Sequence, residues 1–325
     1  MTEVDGLTLD GLVGCVESAV AAPSVHNSQP WRFRIREGGI DVLADWSRRL
    51  EVIDPAGREL LISVGAAILN LRLTMRSRGQ VPIVRLSPDP TEPDLVARVA
   101  PGPTADPNAA LDALAEAIPL RHTNRRPFAP VAIPASILDD LIDAAAAEGA
   151  VLSVAHPAVR DAIFSLAHTA ERRFREQGTY VAELSGWTRP SRGRHDGVPP
   201  QLFGPWDALE AMPLRDFGLG VPEIHRRTER FEPHPTIAVL STVGDTPADW
   251  LRAGQALQRV LLVATTHRLA STPMTQPLEI PALRGMVTDT ASGRWAQIIL
   301  RLGYGQPTAL TPRRPLAEVL LTGDR

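Results

Sequence analysis

The sequence predicts an α+β fold rich in helix, and three observations carry that prediction. Apolar residues recur at helical spacing in long stretches such as 8–22 and 58–78. They alternate with polar ones in short stretches such as 31–36 and 40–44. Two of the long stretches return, in pattern, later in the chain.

The first helix, 8–22, spaces Leu9, Leu12, Val13, Val16, Ala19 and Val20 along one face. Pro23 stops it, because its ring cannot continue the hydrogen-bond ladder. Strands at 31–36 and 40–44 flank Gly38-Gly39, a hairpin signal. A long helix, 58–78, ends at Gly79. Strands at 81–86 and 95–99 enclose a loop rich in Pro and acid. Residues 101–107 read as a linker and 108–117 as a helix. The helix at 137–147 repeats the first in pattern, with Leu141 against Leu12. Gly254-Gln255-Ala256-Leu257, on a helix at 247–267, repeats Gly65-Ala66-Ala67-Ile68. The second pair of helices stands about 60 residues further apart than the first. The gain falls within 155–231. Its first part, 158–183, reads as helix. Residues 185–235 are rich in Gly, Pro, Arg and His and carry Trp187, Phe203, Trp206 and Phe217. A loop so long is disordered or functional, and its aromatics argue against disorder. A strand at 236–241, the helix at 247–267, a short strand ending in Ser271-Thr272-Pro273-Met274, a helix at 279–286, a strand at 295–303 and a Pro-rich tail complete the chain.

Composition narrows the function. The chain has 325 residues, 44% hydrophobic and 22% charged, which fits a globular protein. A net charge of −3 gives no field for nucleic acid or an anionic membrane, and no basic run interleaves with aromatics. No run approaches the ~20 apolar residues of a membrane span. No signal-peptide pattern opens the chain, so a cytoplasmic location is expected. All 34 basic residues are Arg, which excludes a Schiff-base lysine and favours forked pairing with phosphate. Cys15, the single cysteine, excludes an internal disulfide and reads as a small core residue. The His residues are scattered, with no metal-binding pattern. No Rossmann or Walker loop and no Gly-x-Ser-x-Gly motif is present.

The stretch most dense in hydrogen-bonding groups is Pro23-Ser24-Val25-His26-Asn27-Ser28-Gln29-Pro30-Trp31. A polar loop held between two apolar elements suits a planar polar ligand, and taken alone it also fits an ordinary helix-to-strand turn. His26 reads there as a loop histidine bonded locally. The order Pro-Ser-x-x-Asn-x-Gln-Pro-Trp resembles the flavin-binding loop of the nitroreductase family, and the chain as a whole resembles the family's Acg type. The resemblance implies an α/β sandwich built of two degenerate copies that imitate the family's dimer: residues 1–105, and residues 106–325 with a lid insertion at about 185–235. It implies FMN as cofactor, with Pro23, Ser24, Asn27 and Gln29 contacting it.

Arg121-x-Thr123-x-Arg125 alternates along an extended segment, so two guanidiniums and a hydroxyl can share a face. Alone it also fits a solvated basic turn. It resembles the family's Arg-x-Ser-x-Arg phosphate element, with Thr in place of Ser. Arg313 and Arg314, in Pro312-Arg313-Arg314-Pro315, resemble the closing basic element that meets the same phosphate. The first copy has no such element in residues 1–10, so one FMN per chain is implied. Thr272-Pro273-Met274-Thr275-Gln276-Pro277 is equally a Pro-bounded turn or, by resemblance, the loop whose Thr275 and Gln276 backbone reaches flavin N5 and O4. The function implied is electron transfer from NAD(P)H through flavin N5 to a nitroaromatic or quinone-like acceptor, with no catalytic side chain and no metal. An alternative follows from the long insertion: a protein that sequesters FMN beneath a lid, with little turnover. Either way the expected protein is a monomer that imitates a dimer, with no nucleic-acid or membrane partner.

Overall fold

The computed structural model describes residues 7–36, 38–87, 89–189, 193–288 and 292–321. Parts of the expected first half (1–6), of the insertion (190–192) and of the tail (322–325) therefore lie outside the described residues.

Helix α1 (Leu9–Val20) starts where the Thr8 hydroxyl accepts from the Gly11 N–H at 3.2 Å. Leu12, Cys15, Val16, Ala19 and Val20 are buried, whereas Leu9, expected on the same face, is exposed at the helix start; burial pushes the Cys15 thiol up to about 11. Strands β1 (Trp31–Arg36) and β2 (Gly39–Ala44) pair antiparallel. Helix α2 (Arg58–Ser77) follows, then β3 (Gln80–Leu86) and β4 (Leu95–Thr104). β4 runs through most of the expected linker at 101–107, because its pairing with β3 continues to Thr104. The first sheet has the order β1-β2-β4-β3.

Helices α3 (Ala109–Ala117) and α4 (Ala135–Ala146) lead to β5 (Val151–Val154), a short strand that periodicity had not marked. The single helix expected at 158–183 is two, α5 (Pro157–Arg175) and α6 (Gly178–Thr188), broken where Gln177 is extended ahead of Gly178. A minimal parallel pair follows, β6 (Trp206–Asp207) with β7 (Thr228–Glu229). Then come β8 (Thr236–Thr242), α7 (Pro247–Thr266), β9 (Ala270–Pro273), α8 (Pro281–Val287), β10 (Trp295–Gly303) and α9 (Leu316–Val319). The helix expected at 279–286 starts at Pro281, since a residue before proline is biased out of helix and Ile280 is extended. The second sheet has the order β5-β8-β10-β9. Matching β1, β2, β3 and β4 with β5, β8, β9 and β10 gives the same strand order in both sheets.

Helices α2 and α7 pack through the stretches that repeat in sequence. A Cβ on Gly254 would lie 2.0 Å from the Ile62 carbonyl oxygen, and one on Gly65 2.2 Å from that of Leu251. Only glycines allow the two backbones to approach so closely. Gln258 Nε2 donates to Asn70 Oδ1 at 2.8 Å across the same contact. Against the expectation that no stretch approaches a membrane span, α2 is long and apolar enough to be one by length and composition alone, but 83% of that stretch is buried inside this protein.

The insertion has its own core. Its Val198, Leu202, Phe203, Phe217 and Val221 pack with Tyr180 and Leu184 of α6 and with Leu50 and Ile53, between β2 and α2. Each such side chain contributes about 1.5–3 kcal/mol on burial, so the segment is anchored like ordinary core. The tail crosses back: the Leu321 N–H donates to the Phe33 carbonyl at 2.7 Å, which brings Arg313 and Arg314 against the loop after α1.

Candidate functional site

The loop after α1 is a tight 3-10 turn, Val25–Asn27. His26, Asn27 and Gln29 have φ of 47°, 55° and 51°, left-handed values that cost non-glycine residues energy. Long-range hydrogen bonds hold Asn27 and Gln29 there. Asn27 Nδ2 donates to the carbonyls of Gly197 and Pro312 at 3.0 and 3.1 Å. Gln29 Nε2 donates to the His195 carbonyl at 2.8 Å, and Gln29 Oε1 accepts from the Arg314 N–H at 2.8 Å. Ser24 Oγ accepts from the Gln29 N–H at 2.9 Å. Asn27 and Gln29 thus fasten loop, insertion and tail together, whereas Pro23, Ser24 and His26 line a cleft.

That cleft, about 750 Å³ with its mouth, lies between the loop after α1, α2 and the segment from β9 into the turn after it. One wall is α2, through Glu59, Ile62 and Ser63. The facing wall is Thr123, Arg125, Thr272 and Thr275. The roof is Leu214, Arg215 and Phe217 of the insertion. Of the four aromatics singled out in the insertion, only Phe217 lines the cleft. Phe203 is buried in the insertion's core, Trp187 lies beneath Arg48 and Arg194, and Trp206 lies beneath Arg226.

Arg121 and Arg313 are neighbours. Arg121 Nη2 and Arg313 Nη2 both donate to the Ala21 carbonyl, at 3.4 and 3.1 Å. Arg313 Nη1 also donates to Asn27 Oδ1 at 3.1 Å. Both Nε groups are buried without a partner, and among the described residues neither guanidinium has a carboxylate. Burial pushes the pKa of each below its ordinary value, and Arg313 pushes Arg121 further. Two buried cations so placed call for an anion with several acceptor oxygens.

Arg125 goes elsewhere. Its guanidinium lies 4.5 Å from the Phe217 ring centroid, and Nη1 donates to the Leu202 carbonyl at 3.2 Å. Its electrostatic neighbour is Arg215, not Arg121. The expected single face of Arg121, Thr123 and Arg125 is therefore divided: Thr123 and Arg125 line the cleft, and Arg121 joins Arg313. The segment is fixed by the Asn124 N–H donating to the Ser271 carbonyl at 2.9 Å. Arg314 is already paired, with Glu318 at 3.2 Å.

At the other end, Thr275 Oγ1 donates to Glu279 Oε1 at 2.7 Å. Arg215 pairs with the same Glu279 oxygen and donates to the Tyr180 hydroxyl at 2.8 Å. The Gln276 side chain turns away from the cleft, donating to Glu171 and to the Pro213 carbonyl, both at 3.1 Å. The backbone N–H groups of Thr275 and Gln276 have no protein acceptor among the described residues.

His26 corrects the sequence expectation. It makes no local hydrogen bond: both ring nitrogens are buried without a partner, and the ring meets Phe217 edge-on at 5.3 Å. Burial first, then the charges of Arg215 and Arg125, hold its pKa well below the usual value, so it is neutral. Glu59 and Arg215 were missed by sequence reasoning. Glu59 looked like an ordinary acidic residue in a helix's first turn, and Arg215 carries no local signal. Among the described residues no cluster of His, Cys, Asp or Glu could hold a metal ion.

No family model matches the chain. A Mycobacterium tuberculosis (strain H37Rv) protein provisionally named NAD(P)H nitroreductase Rv3131 is 33% identical over 314 residues, which cover 93% of this chain and 88% of that protein. The same strain's provisionally named NAD(P)H nitroreductase acg is 31% identical over 319 residues, 96% of each chain. Among solved structures, the FMN-dependent nitroreductase NfnB from Mycobacterium smegmatis, in complex with NADPH, is 18% identical. Its match covers 66% of this chain and 100% of that one, with a TM-score of 0.39.

Proposed function

Because the chain belongs to the Acg-type nitroreductase-like proteins, we propose that it holds FMN in this cleft and acts as an NAD(P)H oxidoreductase toward nitroaromatic or quinone-like acceptors. The observation that carries the reading is the buried pair Arg121 and Arg313, cations without a carboxylate that meet at the Ala21 carbonyl, next to Pro23 and Ser24 of the cleft wall. A phosphate dianion supplies what both lack. The free N–H groups of Thr275 and Gln276 and the guanidinium of Arg125 are then the donors for the polar edge of the ring. Pro23, Ser24 and neutral His26 border the ligand from the loop. FMN, when bound, supplies hydride chemistry at N5, while the protein places the ring and excludes water.

The two halves, 1–105 and 106–325, are read as degenerate copies. Equal strand order in the two sheets supports this, as does the packing of α2 on α7 through their matching glycines. The chain then works as a monomer, its internal contact standing for a dimer interface, with one FMN.

A second reading, FMN sequestration, is favoured by the roof. Leu214, Arg215 and Phe217 lie on the cleft and are tied to its floor by the Arg215–Glu279 pair and the Gln276–Pro213 hydrogen bond. Anaerobic mixing of the yellow protein with NADPH separates the two. The oxidoreductase reading expects bleaching of the oxidised flavin band within a turnover time. A band that persists through many minutes of excess NADPH and NADH sinks that reading and leaves sequestration.

A further inference from the structure

Glu59 stands in the first turn of α2 with its side chain on the cleft wall, and it is buried. Arg58 Nη2 donates to Glu59 Oε1 at 2.8 Å. Asp54, at the start of the same helix, accepts from the Leu60 N–H at 2.8 Å. Glu279, paired with Arg215, faces Glu59 from the turn after β9. Glu171 of α5 reaches the same patch through Gln276. The cations are Arg58, Arg215, Arg175 near Glu171 and, over Phe217, Arg125; His26 is neutral. Glu59 shares the patch with three other carboxylates, and Arg58 is the one guanidinium that pairs with it directly, so burial among like charges favours its protonated form. Glu59 is the carboxylate of this group that lines the cleft.

We propose that Glu59 is the acid that protonates the acceptor during reduction in this cleft. The inference rests on the oxidoreductase reading and deepens it. A quinone becomes a hydroquinone by gaining a hydride, here from reduced flavin, and a proton. The Glu59 O–H bond breaks, its electron pair stays on the carboxylate, and the proton bonds to the acceptor oxygen that has gained electron density. Arg58 then holds the Glu59 anion until water returns a proton. Burial, then Glu279, hold the Glu59 carboxyl up at about 8, so it carries its proton at neutral pH.

The test reduces the holoprotein with dithionite, which keeps it separate from the question of NADPH, and follows reoxidation by a benzoquinone and by ferricyanide, a one-electron acceptor that takes no proton. Glu59→Gln should slow reoxidation by the quinone about 100-fold, within the range for a general acid, with the slowing confined to the quinone. The parent's quinone rate should fall as pH rises through about 8, while the variant's profile stays flat. Infrared spectra give a readout apart from turnover. At neutral pH the parent should show a protonated-carboxyl band that disappears through about pH 8 and is missing in Glu59→Gln. Glu59→Asp keeps an acid at the site and should recover part of the rate. Parent-like quinone reoxidation in Glu59→Gln, or no titrating carboxyl band in the parent, overturns the proposal.

Discussion

Arg121→Ala should weaken FMN binding by about 1.5–3 kcal/mol, the worth of a charge-assisted hydrogen bond. That is roughly a tenfold to 150-fold rise in dissociation constant. In the apoprotein Arg121 is buried beside Arg313 with an unpartnered Nε and only the Ala21 carbonyl for compensation. Removing one cation relieves repulsion in the empty site, so the apoprotein should be no less stable. On the proposed phosphate assignment, the same change removes one of two guanidiniums from the bound phosphate. Fluorescence titration with FMN and with riboflavin measures it. The phosphate assignment requires that riboflavin binding stay near the parent value. Equal weakening of both ligands would mean that Arg121 serves the loop after α1 and not the phosphate.

Arg215→Met should cost about 3–5 kcal/mol of unfolding free energy, the penalty for stranding the partner of a buried ion pair. Arg215 is buried, and its partner Glu279 is fully enclosed, with Oε2 already lacking a hydrogen bond. Adding Glu279→Gln removes the stranded charge, and the double variant should recover most of the loss. Urea unfolding of the apoprotein gives both numbers. The roof should respond as well. Leu214 and Arg215 separate the cleft from a second hollow of about 1590 Å³ beneath Trp206 and Phe231. Loosening them should give nicotinamide its approach, roughly 3–3.5 Å for hydride transfer, and speed flavin reduction by NADPH. A single variant as stable as the parent would show that the pair does not hold the roof.

Local signals made much of this protein legible in its sequence. Helical spacing located α1, α2 and α7, and the Gly65 and Gly254 stretches that matched in sequence are the ones that touch. Pro23 and Ser24, and Thr123 and Arg125, border one cleft although about a hundred residues separate them. What the sequence hid depends on distant partners. Asn27 and Gln29 are bound by residues 166 to 285 positions away, so no local pattern shows that they fasten the loop. The parting of Arg121 from Arg125 is set by the Ala21 carbonyl and Phe217, not by alternation along an extended segment. The insertion resembled a loop because its apolar residues follow no period. They are gathered by packing on Leu50 and Ile53.

The most direct test of the whole account is the absorption spectrum of the protein purified with its native ligand, followed by release and quantitation of any flavin. The account predicts a yellow protein that yields FMN, one per chain. A folded, colourless protein whose absorbance and fluorescence do not change on adding FMN would contradict it.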